Sequence, residues 1–331
     1  MIRVLGAGII GLSIADELVR RGHPVQIVDP APGSGATYAA AGMLSPAGEL
    51  WHGECDLYAY GRRSLDLWTA YAERLGIEII RGTLLAASDR DDLQQVERHL
   101  GLMSAHGDQA EMLTRAEVEQ LEPRLGRVVG GALLPGDHSV DPRAVLSALL
   151  DRLRDHLTGT SVGGVDITVV ATGATLPEPY RHFVRGVRGE ILRLRTDDLP
   201  ERTIRGLVGG EPIYLVPRRS GELVVGATQQ EPDGPAVVTA EGVWRLLDAA
   251  RRLMPGLDRA EVVEVTARDR PGTRDNLPLI GPAGDGVVLA AGHFRHGVML
   301  APLTAQLVAD HIEDGRVEAA FDPRRMAGVA P

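Results

Sequence analysis

Ile2-Arg-Val-Leu-Gly6-Ala-Gly-Ile-Ile-Gly11, continuing through a helical run to Arg21 and the apolar segment Val25–Val28 before Asp29, is the stretch that decides the fold. Ile2–Leu5 reads as a buried strand, Ile9–Arg21 as a helix closed by Gly22, and Val25–Val28 as a second strand, a βαβ unit in about thirty residues. Gly6, Gly8 and Gly11 form a GxGxxG pattern where the strand turns into the helix. The first glycine permits the tight turn, the second lets a pyrophosphate approach the backbone, and the third lets helix and strand pack closely. Asp29, eighteen residues after Gly11, sits where a carboxylate accepts hydrogen bonds from a ribose hydroxyl. A bare GxGxxG is a weak signal. With strand, helix and acidic residue all in place, a dinucleotide site outweighs an unliganded glycine turn, although the motif alone does not separate NAD from FAD.

Outward from this unit, 331 residues with 44% apolar content predict roughly two domains around sizeable cores. The net charge of −10 argues against a nucleic-acid or anionic-membrane partner. One cysteine, Cys55, excludes an internal disulfide, a cysteine-rich zinc site and a cysteine-ligated iron–sulfur cluster; it reads as a small buried or half-buried residue, and a reducing cytoplasm fits. All 35 basic residues are arginine, so a pyridoxal phosphate Schiff base and a P-loop, which both need lysine, are closed. The chain opens directly on its strand, and no apolar run approaches ~18 residues, so neither a secretory signal nor a membrane span is expected. His52, His106, His138 and His156 show no metal-ligand spacing and are expected on loops or helix surfaces.

Further along, apolar spacing predicts a helix over Leu57–Leu75, stopped by Gly76. From Gly82 to Leu134 short segments alternate with charged loops, with strands near Thr83–Ala87 and Gly131–Leu134 and a capping box at Thr114–Glu117. Asp141-Pro142 opens a helix to about His156, and Ile167–Ala171 has the look of a strand buried on both faces. Strands including Tyr214–Val216 and Leu223–Val225 suggest an antiparallel sheet between Val187 and Ala227. A helix over Ala240–Leu253, strands near Glu261–Ala267 and Val287–Ala290, and a closing helix over Gly297–Ile312 complete the reading.

Thr37-Tyr-Ala-Ala-Ala-Gly-Met43-Leu-Ser-Pro46 resembles the second flavin loop of the glycine oxidase and D-amino-acid oxidase family, where small residues leave room for a flat tricycle. The resemblance continues in order through Val140-Asp-Pro142, Val170-Ala-Thr-Gly173, Tyr214-Leu-Val-Pro-Arg218, Val225-Gly-Ala-Thr228, Arg270-Pro-Gly-Thr273, Pro278-Leu-Ile-Gly281 and Ala291-Gly-His-Phe-Arg-His-Gly297. It implies an α/β fold: a Rossmann-type, glutathione-reductase-like FAD-binding domain interleaved in sequence with an antiparallel-sheet substrate domain. The division expected is 1–80, 135–178 and 266–331 for FAD, and 81–134 and 179–265 for substrate. FAD contacts are implied at Gly6, Gly8, Ile9, Ile10, Gly11, Asp29 and Pro30, at Ala36, Thr37, Ala41, Gly42 and Met43, at Val162 by the adenine, at Ala171, Thr172 and Gly173, and at His293, Phe294, Arg295, His296, Gly297, Val298 and Met299. The last group begins a helix, whose positive end would stabilise charge developing on the flavin. With no cysteine at Arg270–Thr273, where sarcosine oxidases attach their flavin, non-covalent FAD is expected.

By the same resemblance Arg270 and Tyr214 hold the substrate carboxylate, guanidinium fork and phenol together, and Arg295 lies near the substrate amine and flavin. The reaction implied is oxidative deamination of glycine, sarcosine or a small D-amino acid by hydride transfer to flavin N5, with no side-chain acid or base required and dioxygen as acceptor. A role in supplying glycine imine for the thiamine thiazole and a homo-oligomeric state are further implications. The alternatives are a flavin dehydrogenase serving a quinone or protein acceptor, a NAD-dependent dehydrogenase, and a non-catalytic FAD-binding subunit.

Overall fold

The first strand pairs on both sides with parallel neighbours, and the rest of the first layer grows from it. In the computed structural model, which describes residues 1–158, 163–231 and 233–326, β1 (Ile2–Leu5) leads into α1 (Ile9–Arg20) and β2 (Val25–Val28). A single turn, α2 (Ala36–Ala39), and the short β3 (Met43–Leu44) precede the long α3 (Cys55–Leu75). Then come β4 (Ile80–Ala87), α4 (Arg90–Ala105), β5 (Glu111–Thr114), α5 (Arg115–Leu121) and β6 (Gly130–Ser139). The chain returns through α6 (Pro142–Arg152), β7 (Leu157–Thr158) and β8 (Ile167–Val170). It then runs through β9 (Arg185–Arg195), β10 (Thr203–Val208), β11 (Glu211–Pro217), β12 (Glu222–Gly226) and α7 (Ala240–Leu253). The closing elements are β13 (Glu261–Gly272), β14 (Leu279–Gly284), β15 (Val287–Ala291) and α8 (Gly297–Asp314).

One sheet has the order β14-β15-β8-β1-β2-β7, parallel from β15 to β7, as a doubly wound layer requires. The other, β13-β9-β12-β11-β10-β4-β6-β3 with β5 on β6, is antiparallel except that β10 runs parallel to β4. The substrate-side sheet is therefore mixed rather than wholly antiparallel, because β4 and β10 are joined by a long excursion instead of a hairpin. The interleaving expected from the sequence is present: the chain crosses between the sheets several times.

Gly6 and Gly11 do what their spacing predicts. Gly6 takes a left-handed φ of +102°, and a Cβ on Gly11 would stand 2.0 Å from the Gly6 carbonyl oxygen, so the helix rests directly on the strand end. The face α1 buries, through Leu12, Ile14, Ala15 and Leu18, packs against α8 and α6. The α3 helix braces α8: Ser64 Oγ and Trp68 Nε1 both donate to the Met299 carbonyl, at 2.6 and 2.9 Å. Asp16, buried in α1, is held by Arg74 and Arg152, which is how a charge survives in this core. A second core, with Leu192, Ile204, Leu215 and Val225 on the sheet and Leu246 and Leu253 on α7, fills the other side of the large sheet.

Three expectations are corrected. The segment read as loops after Ala87 holds the helix α4, capped by Asp89, which accepts from the N–H groups of Asp91 and Asp92 at 2.9 Å. Leu93, Val96, Leu100 and Met103 recur at helical spacing and pack on one side, a signal passed over among the charged residues between them. Cys55 is exposed at the start of α3 rather than buried. His138 lies within β6, where its Nδ1 accepts from the Gly82 N–H at 3.3 Å, not on a loop or helix. Among the described residues no helix is long and apolar enough to cross a membrane, and no histidine, cysteine and carboxylate group could hold a metal.

Replacing Gly11 by alanine drives a methyl group into a backbone carbonyl that has nowhere to retreat. We expect a loss of about 1–3 kcal/mol, the cost of overpacking, read as a lowered denaturation midpoint of the purified protein; an unchanged midpoint refutes the close-approach role.

Candidate active site

Between the two sheets runs a cavity of about 870 Å³, at the large end of the roughly 300–1,000 Å³ of small-molecule and cofactor sites. Two long helices, α1 and α8, begin at its wall with no side-chain cap on Gly8 or His296, so helix-end N–H groups and positive dipole ends are left for a ligand. That arrangement suits an extended molecule with a pyrophosphate near one end and an electron-accepting ring near the other.

At the α1 end, Gly6, Gly8, Ile9, Ile10, Asp29 and Pro30 line the cavity. The Asp29 carboxylate accepts from the N–H of Ala7 at 2.6 Å and of Ala31 at 2.7 Å, which holds it at the strand end. Gly11 does not face the cavity; it serves the helix–strand approach. Ala36, Thr37, Ala41, Gly42 and Met43 form one wall, with Thr37 Oγ1 accepting from Ile9 N–H at 3.2 Å, and Ala171, Thr172 and Gly173 another. Val162 lies outside the described residues. His293 through Met299 all line the far end. The His293 ring turns away to pair with Thr304 Oγ1 at 2.9 Å, so this residue offers backbone to the cavity. Phe294 carries a left-handed φ of 47° in the turn that delivers α8 to the site.

The large sheet supplies the floor. Arg205 on β10 stands opposite Tyr214 on β11, Tyr214 opposite Gly226 on β12, and Gly226 opposite Ile191 on β9, so one row of same-face positions crosses the cavity. A Cβ on Gly226 would lie 2.5 Å from the Tyr214 hydroxyl, and a Cβ on Gly189 would lie 2.2 Å from Arg270 Nη1; both glycines are vacated ground for these side chains. Arg270 donates to the backbone carbonyls of Thr228 at 3.2 Å and Arg188 at 3.3 Å, hydrogen-bonds the Tyr214 phenol, and has no carboxylate partner among the described residues. Burial holds the Tyr214 phenol above its usual range, with the neighbouring Arg270 guanidinium pulling the other way.

Arg295 is differently placed. Its guanidinium is paired with Glu49 at 2.8 Å and Glu54 at 3.1 Å, and only through its position at the start of α8 does it reach the flavin end. Sequence reading missed Glu49, Arg205 and His99, which all line the same end. Glu49 is the one charged residue in Ser45–Trp51, and Arg205 occupies the alternate face of a strand whose other face carries Ile204 and Val208; those were the available signals.

The fold and this cavity define a flavin-dependent oxidoreductase. A family model for FAD dependent oxidoreductases (DAO) matches residues 1–311. The chain is 32% identical to a glycine oxidase of Geobacillus kaustophilus, over 97% of this chain and 94% of that protein. It is 36% identical to a Rhizobium etli protein designated a thiamine biosynthesis oxidoreductase, ThiO, over 96% and 98%. The crystal structure of the G. kaustophilus glycine oxidase superposes with a TM-score of 0.85 at 31% identity, covering 98% of this chain and 96% of that one. The chain belongs to the DAO family of FAD-dependent oxidoreductases acting on amine substrates, and is closely related to glycine oxidases.

The buried titratable groups set a pH dependence. Burial brings His293 and His296 down to about 3, whereas the unfolded chain takes up protons on them near pH 6.5; both therefore cost stability as pH falls below that value. His99 and His138, also lowered by burial, add in the same direction. Asp137 opposes them: burial raises its carboxyl to about 7 against the N–H of Gly48, so folding retains its proton between the unfolded carboxylate range and that value. The histidines outnumber it. Glu122, also raised by burial, opposes them too, but four lowered histidines outweigh two carboxyls, so stability should fall on acidification from about pH 6 to 4.5, by about 1.4 kcal/mol per unit for each excess proton the unfolded chain binds. Denaturant melts across this range test it, and Asp137→Asn should steepen the slope.

Proposed function

We propose that the chain catalyses oxidative deamination of glycine or a similarly small amino acid (sarcosine, a small D-amino acid), with dioxygen as electron acceptor and hydrogen peroxide as product. The observation that carries this reading is Arg270: a guanidinium on the cavity floor, with no carboxylate partner among the described residues and the Tyr214 phenol beside it. A planar fork and a phenol are the donors that a substrate carboxylate takes. The names of the G. kaustophilus relative and structure support the choice of amino acid.

On this reading, Gly6, Gly8 and the α1 N-terminus hold the pyrophosphate, Asp29 the ribose, and Ala39–Gly42 the ring on one side, with the start of α8 on the other. FAD held there would supply the two-electron acceptor, at flavin N5, for the α-hydrogen leaving as hydride. The protein's part is positioning: Arg270 and Tyr214 grip the carboxylate, and the surrounding walls exclude water. No side chain is assigned as acid or base. The imine product hydrolyses in water to the α-keto acid and ammonia or a primary amine. We further propose that the six-stranded sheet with α1, α3, α6 and α8 is the FAD half and the large sheet with α7 the substrate half. The ThiO designation of the R. etli relative supports a link to thiamine synthesis.

Purified protein supplied with FAD should show a flavin spectrum that added glycine or sarcosine bleaches without air. Readmitted oxygen should restore it with stoichiometric peroxide; slow reoxidation points to a dehydrogenase with another acceptor. Arg270→Ala should raise KM about a hundredfold, the loss of a charged, desolvated contact, and an unchanged KM removes Arg270 from the carboxylate site.

A further inference from the structure

We infer that Glu49 determines substrate class at this site, by neutralising two guanidinium groups on the cavity wall so that only amino acids with a single carboxylate are accepted. The inference rests on the amino-acid reading of the same cavity and deepens it.

Three arginines border the substrate end. Arg270 is uncommitted, but Arg205 and Arg295 are not: Glu49 takes Arg205 Nη1 on one oxygen and pairs with Arg295 Nε at 2.8 Å on the other. Glu54 adds a second carboxylate to Arg295 at 3.1 Å and accepts from Asn276 Nδ2 at 2.8 Å. The two carboxylates balance the two cations, and His293 and His296 are held neutral by burial, so the surplus at this end is one positive charge, on Arg270; Arg268, the fourth arginine of the cavity wall, is turned to the Ser34 carbonyl at 2.9 Å, beside α2. A substrate carrying one carboxylate cancels it. A second carboxylate, as on an aspartate-like or N-carboxymethyl amino acid, meets no free cation and must shed its hydration without compensation.

Glu49 is well fixed for this task. Its N–H donates to the Ser45 carbonyl at 3.0 Å, and the preceding N–H groups of Ala47 and Gly48 donate to buried Asp137 at 3.3 and 2.7 Å. Burial alone would raise the Glu49 carboxyl, yet Arg205 and Arg295 bring it down to about 2, so it stays ionised. Arg205 stands directly across the strand pair from Tyr214, which puts its guanidinium one sheet position from the carboxylate grip. Freed of Glu49, it would face the substituent of a bound amino acid.

The test uses FAD-loaded protein and calorimetric binding of glycolate (one carboxylate) against D- and L-malate (the same hydroxy-acid head with a second). Wild type should bind glycolate and prefer it to malate. Glu49→Gln should raise the malate-to-glycolate affinity ratio about tenfold or more, the value of one charged hydrogen bond, and Glu49→Gln with Arg205→Gln should return it towards wild type. Arg205→Gln alone, which leaves Glu49 in excess, should move the ratio the opposite way, and serves as the independent arm should Glu49→Gln fail to hold FAD. An unmoved ratio in these variants overturns the inference. Glycolate binding that is absent, or indifferent to Arg270→Ala, overturns instead the amino-acid reading on which it rests.

Discussion

Two helices that start at one cavity without caps tie the fold to its ligand. Each helix end leaves N–H groups unpaired and a partial positive charge, and in most proteins a side chain of the N-cap residue answers them, as Asp89 does for α4 and Thr114 for α5. Gly8 has no side chain to do so, leaving the Ile9 N–H to Thr37 Oγ1 and the next ones open, and His296 makes no capping bond. The chain instead spends its packing on holding those ends in place, with Gly11 against Gly6 beneath α1 and Ser64 with Trp68 on the first turn of α8. A group that binds there and not to the unfolded chain adds its binding energy to stability, so cofactor and fold are thermodynamically one problem.

The substrate end is organised by charge. Gathering several partly exposed arginines on one cavity wall sets like charges against each other unless most are paired, and pairing all of them would leave nothing for a substrate. The structure resolves this by giving Arg205 and Arg295 a shared carboxylate and leaving Arg270 with two carbonyl oxygens and the Tyr214 phenol. Carbonyl dipoles orient a guanidinium without cancelling its charge. Arg270 is thus held in position and remains electrostatically available, which is the state a carboxylate receptor needs before its ligand arrives.

What could be read from the sequence was whatever had a short period or a fixed spacing. The βαβ unit with its three glycines, the capping box at Thr114, and α7 at Ala240–Leu253 all express local rules, and the structure has them at the predicted places. The α4 helix obeys the same rules, with Leu93, Val96, Leu100 and Met103 at helical spacing behind an Asp89 cap, and was overlooked because charged residues fill the positions between them. The parallel pairing of β4 with β10 joins segments more than a hundred residues apart, and no local pattern encodes that. For the site, family resemblance put Arg270 and Tyr214 on the page, while Glu49 and Arg205 went unnoticed: they acquire meaning only when a loop after β3 meets a strand from the other half of the chain.

That last meeting follows from register. Side chains alternate faces along a strand, so Arg205, Tyr214, Gly226 and Ile191 share the cavity face only in the pairing that sets each opposite the next. A slip of one residue in β10 would send Arg205 into the apolar core under α7 and bring Ile204 or Gly206 to the cavity. The same slip would expose Ile204 and Val208, which that core buries completely or nearly so. Burial of the far face therefore specifies chemistry on the near one: the hydrophobic side of β10, with no part in the reaction, is what delivers its arginine to Glu49.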